Sequence, residues 1–343
     1  MKALIWENKT VKLVERPYPQ ILDSRDAIVK VTLSSICTSD LHIKHGFVPQ
    51  AKNGVVLGHE FVGEIVELGD GVKNLRVGDR VSANVETFCG ECFFCKKGYI
   101  NNCEKGGWHL GCKIDGAQAE YVRVPFADNG LNKISEEITD KNALFVGDVL
   151  ASGYFGAELC EITSEDVVAV IGSGPVGLCT MASARVMSAK KIIAIDINDE
   201  RLKVAEQQGL ADYFFNPNKC NIEDEIKNLT QGRGADCVVE VAGGANTFEM
   251  AWRIARPNAI VALVGMYDKS QILPLPEMYG KNLIFKTGGV DAIHSEKLLD
   301  LISQKKIDTD FLITQTYKFE DIEKAYAFFE EKPEFCLKIA LEY

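Results

Sequence analysis

Positive charge is in short supply in this chain. Its 343 residues carry 38 Lys and Arg against 49 Asp and Glu, a net charge of −11, and the pI is near 5.1. That balance argues against nucleic acid or an anionic membrane surface as the main partner. Long apolar runs are missing too. No stretch approaches the ~20 residues of a membrane span. The early run Ala3-Leu4-Ile5-Trp6 is far too short for the core of an export signal. Internal repeats and low-complexity segments are absent. With no export signal, a cytoplasmic location is expected, and the eleven cysteines read as metal ligands and buried thiols rather than disulfides. The length exceeds one typical core and suggests two domains.

Cys89, Cys92, Cys95 and Cys103 form C-x2-C-x2-C-x7-C. Four thiolates closing in one loop suit a closed, tetrahedral structural zinc site. An iron–sulfur site shares the opening spacing and is the alternative. Cys37 and His59 make a second candidate pair, since a thiolate and a neutral imidazole are good zinc ligands. Glycines at 54, 58, 63, 69 and 71 let a β-rich chain turn tightly around them. Taken alone, the pair is better explained by a buried thiol and a hydrogen-bonded histidine; the neighbouring motifs reverse that preference.

Residues 11–14 and 27–33 are β-prone runs separated by Pro17 and Pro19. Thr38, Ser39 or Asp40 caps a short helix that carries His42 and His45. Residues 140–160 read as a helix-prone linker. From 166 to 290 strand and helix alternate. The apolar run 166–171 leads straight into Gly172-Ser173-Gly174-Pro175-Val176-Gly177 and then a helix to about 187. The glycines allow a tight turn, close approach of a pyrophosphate and packing of helix on strand, while the helix N-terminus offers free N–H groups to phosphate. A second strand, 191–195, ends in Asp196, where a carboxylate binds both hydroxyls of an adenosine ribose. A 2′-phosphate would be repelled there, so NAD is favoured over NADP, although Arg201 lies nearby. Strands at 237–241, 260–264 and 283–286 leave one strand of a six-stranded fold unplaced. Helices at 295–305 and 319–331 and a strand at 337–341 follow.

Gly58-His59-Glu60 with Gly63, Gly69 and Val72, then Val77-Gly78-Asp79-Arg80-Val81, resembles the signature of the zinc-containing medium-chain alcohol dehydrogenases, in their bacterial secondary-alcohol branch. The four-cysteine spacing is similar to that family's structural zinc lobe, and the resemblance spans essentially the whole chain. It implies an α/β Rossmann cofactor domain, a doubly wound parallel sheet, at 148–291. It also implies a GroES-like β-barrel catalytic domain at 1–147 and 292–343, with the zinc lobe at 86–107. Two Zn²⁺ per chain follow: a catalytic ion on Cys37, His59 and Asp148, and a structural ion on Cys89, Cys92, Cys95 and Cys103.

Asp148 departs from the commonest family residue, cysteine, and from the glutamate of polyol and threonine dehydrogenases. Aspartate belongs to a subgroup of bacterial secondary-alcohol and formaldehyde enzymes, which points to a small secondary alcohol and its ketone. A polyol, diol or amino-alcohol dehydrogenase is the alternative. By the same resemblance Ser39 and His42 relay a proton through the cofactor ribose, and Glu60 is an outer carboxylate or a transient metal ligand. Trp108 and Tyr267 line the substrate pocket. Ser152, Gly172, Gly174, Pro175, Val176, Gly177, Asp196, Arg201, Val264 and Met266 hold NAD. The resemblance implies a homotetramer, with a dimer as the alternative. A non-catalytic dinucleotide-binding protein would be expected to have lost Cys37, His59 or the relay, and all are present. A redox switch built on the zinc–thiolate lobe is the remaining non-enzymatic reading.

Overall fold

A computed structural model describes residues 1–331 and 335–343. The chain forms two compact units, Met1–Ala151 with Asp291–Tyr343, and Ser152–Val290. Asp148 therefore belongs to the same unit as Cys37 and His59.

The first unit is built on β-structure. Its larger sheet runs in the order Leu131–Lys133, Arg80–Ala83, Phe61–Leu68, Ala27–Ile36, Lys338–Glu342 and Ile313–Lys318, and Tyr121–Val124 also pairs with Ala27–Ile36. A smaller sheet joins Thr10–Glu15, Lys2–Glu7 and Val55–Val56. Ala27–Ile36 is buried at every position but Lys30 and Thr32, as a central strand covered on both faces must be. Phe61, Ile65, Val29 and Val81 pack together on one side of it, while Ile36, Leu57, Tyr326 and Ile339 join a second cluster. Each fully buried side chain of this size contributes roughly 1.5–3 kcal/mol. The strand Lys338–Glu342 lies antiparallel to Ala27–Ile36, with Ile339 opposite Ile36 and Ala340 opposite Ser35. Residues from the two chain segments of this unit thus become neighbours.

The second unit has a parallel sheet in the order Tyr213–Phe215, Lys191–Ile195, Val167–Ile171, Ala235–Glu240, Ala255–Leu263 and Ile284–Thr287. This is the doubly wound dinucleotide-fold order. Val167–Ile171 is buried throughout. Tyr213–Phe215 is the strand that the sequence pattern left unplaced: three residues long, aromatic and half-buried, it shows no alternation. Among the described residues no helix is long and apolar enough to cross a membrane.

Candidate catalytic metal and cofactor sites

Cys37 ends the strand Ala27–Ile36 and opens the helix Thr38–Lys44. Asp40 accepts the Cys37 N–H at 2.9 Å through Oδ2, satisfying an otherwise orphaned donor at the helix start. Its other oxygen, Oδ1, lies 3.3 Å from His59 Nδ1, a charge contact without hydrogen-bond alignment. Gly58 sets the approach to His59: it has φ +95°, and a Cβ there would stand 2.6 Å from the Gln118 side chain. Gln118 donates through Nε2 to Asp40 Oδ2 at 3.2 Å and accepts the Tyr326 hydroxyl at 2.7 Å. Buried Tyr326, Gln118 and Asp40 therefore brace the histidine from behind.

On the other side of the ring, His59 Nε2 is 3.3 Å from Asp148 Oδ2 and 3.1 Å from Ser39 Oγ. Cys37 Sγ is 3.7 Å from the same Asp148 oxygen. Asp148 immediately precedes the helix Val149–Leu159, after Gly147, where a Cβ would meet the Ala83 carbonyl oxygen at 1.8 Å. The donor atoms of Cys37, His59 and Asp148 all lie within 4.8 Å of one another, a set that fits a zinc ion. Their charges agree with that fit. Burial disfavours a proton on His59, yet Asp40, Asp148 and Cys37 outweigh it and hold the imidazole well above its ordinary value. Burial likewise pushes Asp148 up, and the contact with His59 brings it below its usual range. Such a focus of negative donors is what a divalent cation neutralises.

Glu60 stands outside this trio. Its Oε2 is ion-paired with Lys338 Nζ and accepts the Ser35 hydroxyl at 2.9 Å. Both charged side chains are buried, at 0% and 3% exposure. Lys338 carried no motif in the sequence; it arrives through the pairing of Lys338–Glu342 with Ala27–Ile36. Asp40 and Gln118 likewise carry no site motif in the sequence, where Asp40 reads only as a helix cap.

Trp108 sits in the short strand Gly107–Trp108, and its ring meets the His59 ring edge-on at 5.7 Å. His42 lies three residues after Ser39 on the same helix, half-buried, with the Phe47 ring 6.4 Å away. Cys89, Cys92, Cys95 and Cys103 converge in the same unit, with Cys92 and Cys95 sulfurs 3.4 Å apart. Backbone N–H groups of Cys95 and Glu104 lower the Cys92 thiol to about 6, ready to bind a metal as thiolate, while burial pushes Cys95 up to about 12. This second donor set also fits zinc.

In the second unit Gly172 takes φ +103° and Gly174 precedes the helix Pro175–Val186, with Pro175 at its first position. A Cβ on Gly177 would meet the Gly172 carbonyl oxygen at 1.8 Å, so only glycine lets helix and turn close. Asp196 accepts the Ser173 N–H at 2.6 Å and the Asn198 N–H at 2.8 Å, which fixes its carboxylate beside the glycine turn. Arg201, on the helix Asp199–Gln207, reaches toward Gly174, where its Nη1 would be 3.5 Å from a Cβ, and its Nε is buried without a partner. Ser152 is buried, Val176 and Val264 are half-buried and Met266 is exposed. Tyr267 gives its hydroxyl to Glu240 Oε2 at 2.7 Å, while Glu240 Oε1 accepts the Ala242 and Gly243 N–H groups. Within this unit its hydroxyl is thus engaged with a carboxylate that no sequence motif marked.

A β-rich unit holding two zinc-fitting donor sets, joined in one chain to a dinucleotide-type α/β unit, defines a zinc-dependent dehydrogenase of the medium-chain class. Residues 23–136 match the alcohol dehydrogenase GroES-like domain, and residues 175–302 match the zinc-binding dehydrogenase domain. The chain is 35% identical to an alcohol dehydrogenase of Cupriavidus necator, over 100% of this chain and 98% of that protein. It is 33% identical to the NADP-dependent isopropanol dehydrogenase of Thermoanaerobacter brockii, over 94% of each. The solved structure of alcohol dehydrogenase TADH from Thermus sp. ATN1 superposes with a TM-score of 0.93 at 34% identity, covering 100% of this chain and 99% of that one. The protein belongs to the zinc-dependent medium-chain alcohol dehydrogenase family.

Proposed function

We propose that this chain catalyses reversible hydride transfer between a small secondary alcohol and NAD. The observation that carries the reading is the convergence of Cys37, His59 and Asp148 donor atoms within 4.8 Å beside the Trp108 ring. These three residues would hold a catalytic Zn²⁺, which supplies Lewis-acid polarisation of an alcohol or carbonyl oxygen. Asp40 holds the His59 ring in place from its Nδ1 side. Trp108 covers the ring and keeps water away. Ser39 Oγ would accept the proton that leaves the alcohol as its own hydroxyl proton moves on toward His42, which exchanges a proton with solvent, a task suited to an imidazole. Glu60 holds negative charge behind the trio, matched by Lys338.

The preference for NAD rests on Asp196. Its carboxylate is pinned by two backbone N–H groups and would repel a 2′-phosphate. The Thermoanaerobacter brockii relative is named for NADP, so the comparison of the two cofactors is the direct check. Four copies per assembly and a cytoplasmic setting complete the reading, the first tested by light scattering. The decisive experiment is metal content with activity on 2-propanol and 2-butanol, for wild type and Asp148→Asn. Two zinc ions per chain, falling to one with activity lost, supports the assignment. A variant that keeps both ions and its rate overturns Asp148 as a ligand.

A further inference from the structure

Glu86 is a buried carboxyl that the reaction outlined above does not use. It lies in the two-residue strand Glu86–Thr87, paired antiparallel with Gly107–Trp108 so that Glu86 stands directly opposite Trp108. Directly opposed residues of an antiparallel strand pair project from the same face. Trp108 spends that face on His59, its ring 5.7 Å from the imidazole. Glu86 is only 3% exposed. The backbone N–H groups of Glu86 itself and Ala292 serve its carboxyl, yet Oε2 has no partner. Trp108 Nε1 is likewise buried and without a partner. Two orphaned polar atoms, one an indole donor and one a carboxyl oxygen, thus belong to side chains on one face of this strand pair, the face from which Trp108 meets His59. Buried polar groups are rarely left unsatisfied, and a bound substrate group is one partner that can complete them.

We propose that Glu86 and Trp108 form a polar subsite for a second oxygen of the substrate, so that the preferred substrates are vicinal diols and α-hydroxyketones. This rests on the alcohol dehydrogenase reading and narrows it. Burial pushes the Glu86 carboxyl above its ordinary value. An indole N–H gives a hydrogen bond, and a carboxyl oxygen receives one. The two atoms match a hydroxyl one carbon away from the reacting centre, which accepts from the indole and donates to the carboxyl, or a carbonyl there, which accepts from the indole. A substrate with one oxygen would leave both orphaned atoms unpaired, and such a site discriminates strongly against the analogue that lacks the group.

The test uses the zinc-loaded full chain with NAD and compares 2,3-butanediol with 2-butanol. Wild type should favour the diol in kcat/KM by about tenfold or more, the worth of one well-placed hydrogen bond. Glu86→Met, similar in length and without hydrogen-bonding groups, should cut the diol-to-alcohol ratio about 10-fold. Glu86→Gln, which still donates and accepts, should keep the ratio within about threefold of wild type. A wild type that favours 2-butanol overturns the proposal even if the variants fail to fold. So does an unchanged ratio in a folded Glu86→Met. A zinc-loaded wild type inactive on both substrates overturns the dehydrogenase reading, and the subsite with it.

Discussion

Removing the amino group of Lys338 should destabilise the catalytic unit severely. Lys338→Met keeps most of the side-chain length but leaves the Glu60 carboxylate in a buried site with the Ser35 hydroxyl on Oε2 and nothing on Oε1. Both side chains of the pair are essentially inaccessible, so solvent cannot take over the lost contact. Breaking a buried pair by removing one partner costs about 3–5 kcal/mol, a large part of the roughly 5–15 kcal/mol that holds a typical domain together. The sign of the pH dependence follows. Burial already raises Glu60 above 4.5, with Lys338 opposing that rise. Without Lys338 the folded state binds the proton more tightly than the unfolded one. The penalty then grows as pH rises from about 5 toward the new folded value and is smallest in acid. Thermal melts of the zinc-loaded protein at several pH values measure this. The double variant Lys338→Met with Glu60→Gln removes the stranded charge and should recover most of the loss. A single variant as stable as wild type across that range, or a double variant no better than the single, would refute the reasoning.

Asp40→Asn removes the negative charge 3.3 Å from His59 Nδ1 and should weaken zinc binding at the catalytic position about 10–100-fold, measured by competition with a chromophoric chelator. Cys95→Ser should lower the zinc content by one ion per chain and reduce the melting temperature, while the catalytic ion stays; loss of both ions would contradict two separate sites. Gly177→Ala places a Cβ 1.8 Å from the Gly172 carbonyl oxygen, so the variant should lose dinucleotide affinity by fluorescence titration even where its zinc content is unchanged. Asp196→Asn removes the charge that opposes a 2′-phosphate and should narrow the ratio of NAD to NADP efficiency, an effect read directly from initial rates.

What the sequence made legible was whatever is written in consecutive residues. The four cysteines announce themselves by spacing, and the turn Gly172–Gly177 announces itself because strand, glycines, helix and Asp196 follow one another. Asp148 has no local pattern and became visible only through resemblance to a family. Lys338, Gln118 and Glu86 stayed hidden for a physical reason: each meets partners that only folding brings close, Glu60 for Lys338, Asp40 and Tyr326 for Gln118 and Trp108 opposite Glu86, and a lone lysine, glutamine or glutamate carries no periodicity. Asp40 shows only half of its role in the sequence, since one carboxylate both satisfies a helix start and faces a histidine. Ile313–Lys318 was missed because its Thr, Gln and Thr positions look like loop, although parallel pairing with Lys338–Glu342 makes it a strand.

The pairing of Lys338–Glu342 with Ala27–Ile36 also sets an order of events during synthesis. Cys37, His59 and Asp148 leave the ribosome before the second unit is made, while Lys338 emerges only after it, 278 positions beyond Glu60. The second unit, contiguous from Ser152 to Val290, can fold by itself in the meantime. The first must wait, its central strand still unpaired from Leu33 to Ile36 on one edge and its buried glutamate still without a counter-charge. Such distant pairing is slow and leaves a strand edge exposed. The growing chain therefore passes through an interval in which the metal donors exist, the dinucleotide fold is complete, and the sheet that must hold the donors still lacks its last strands.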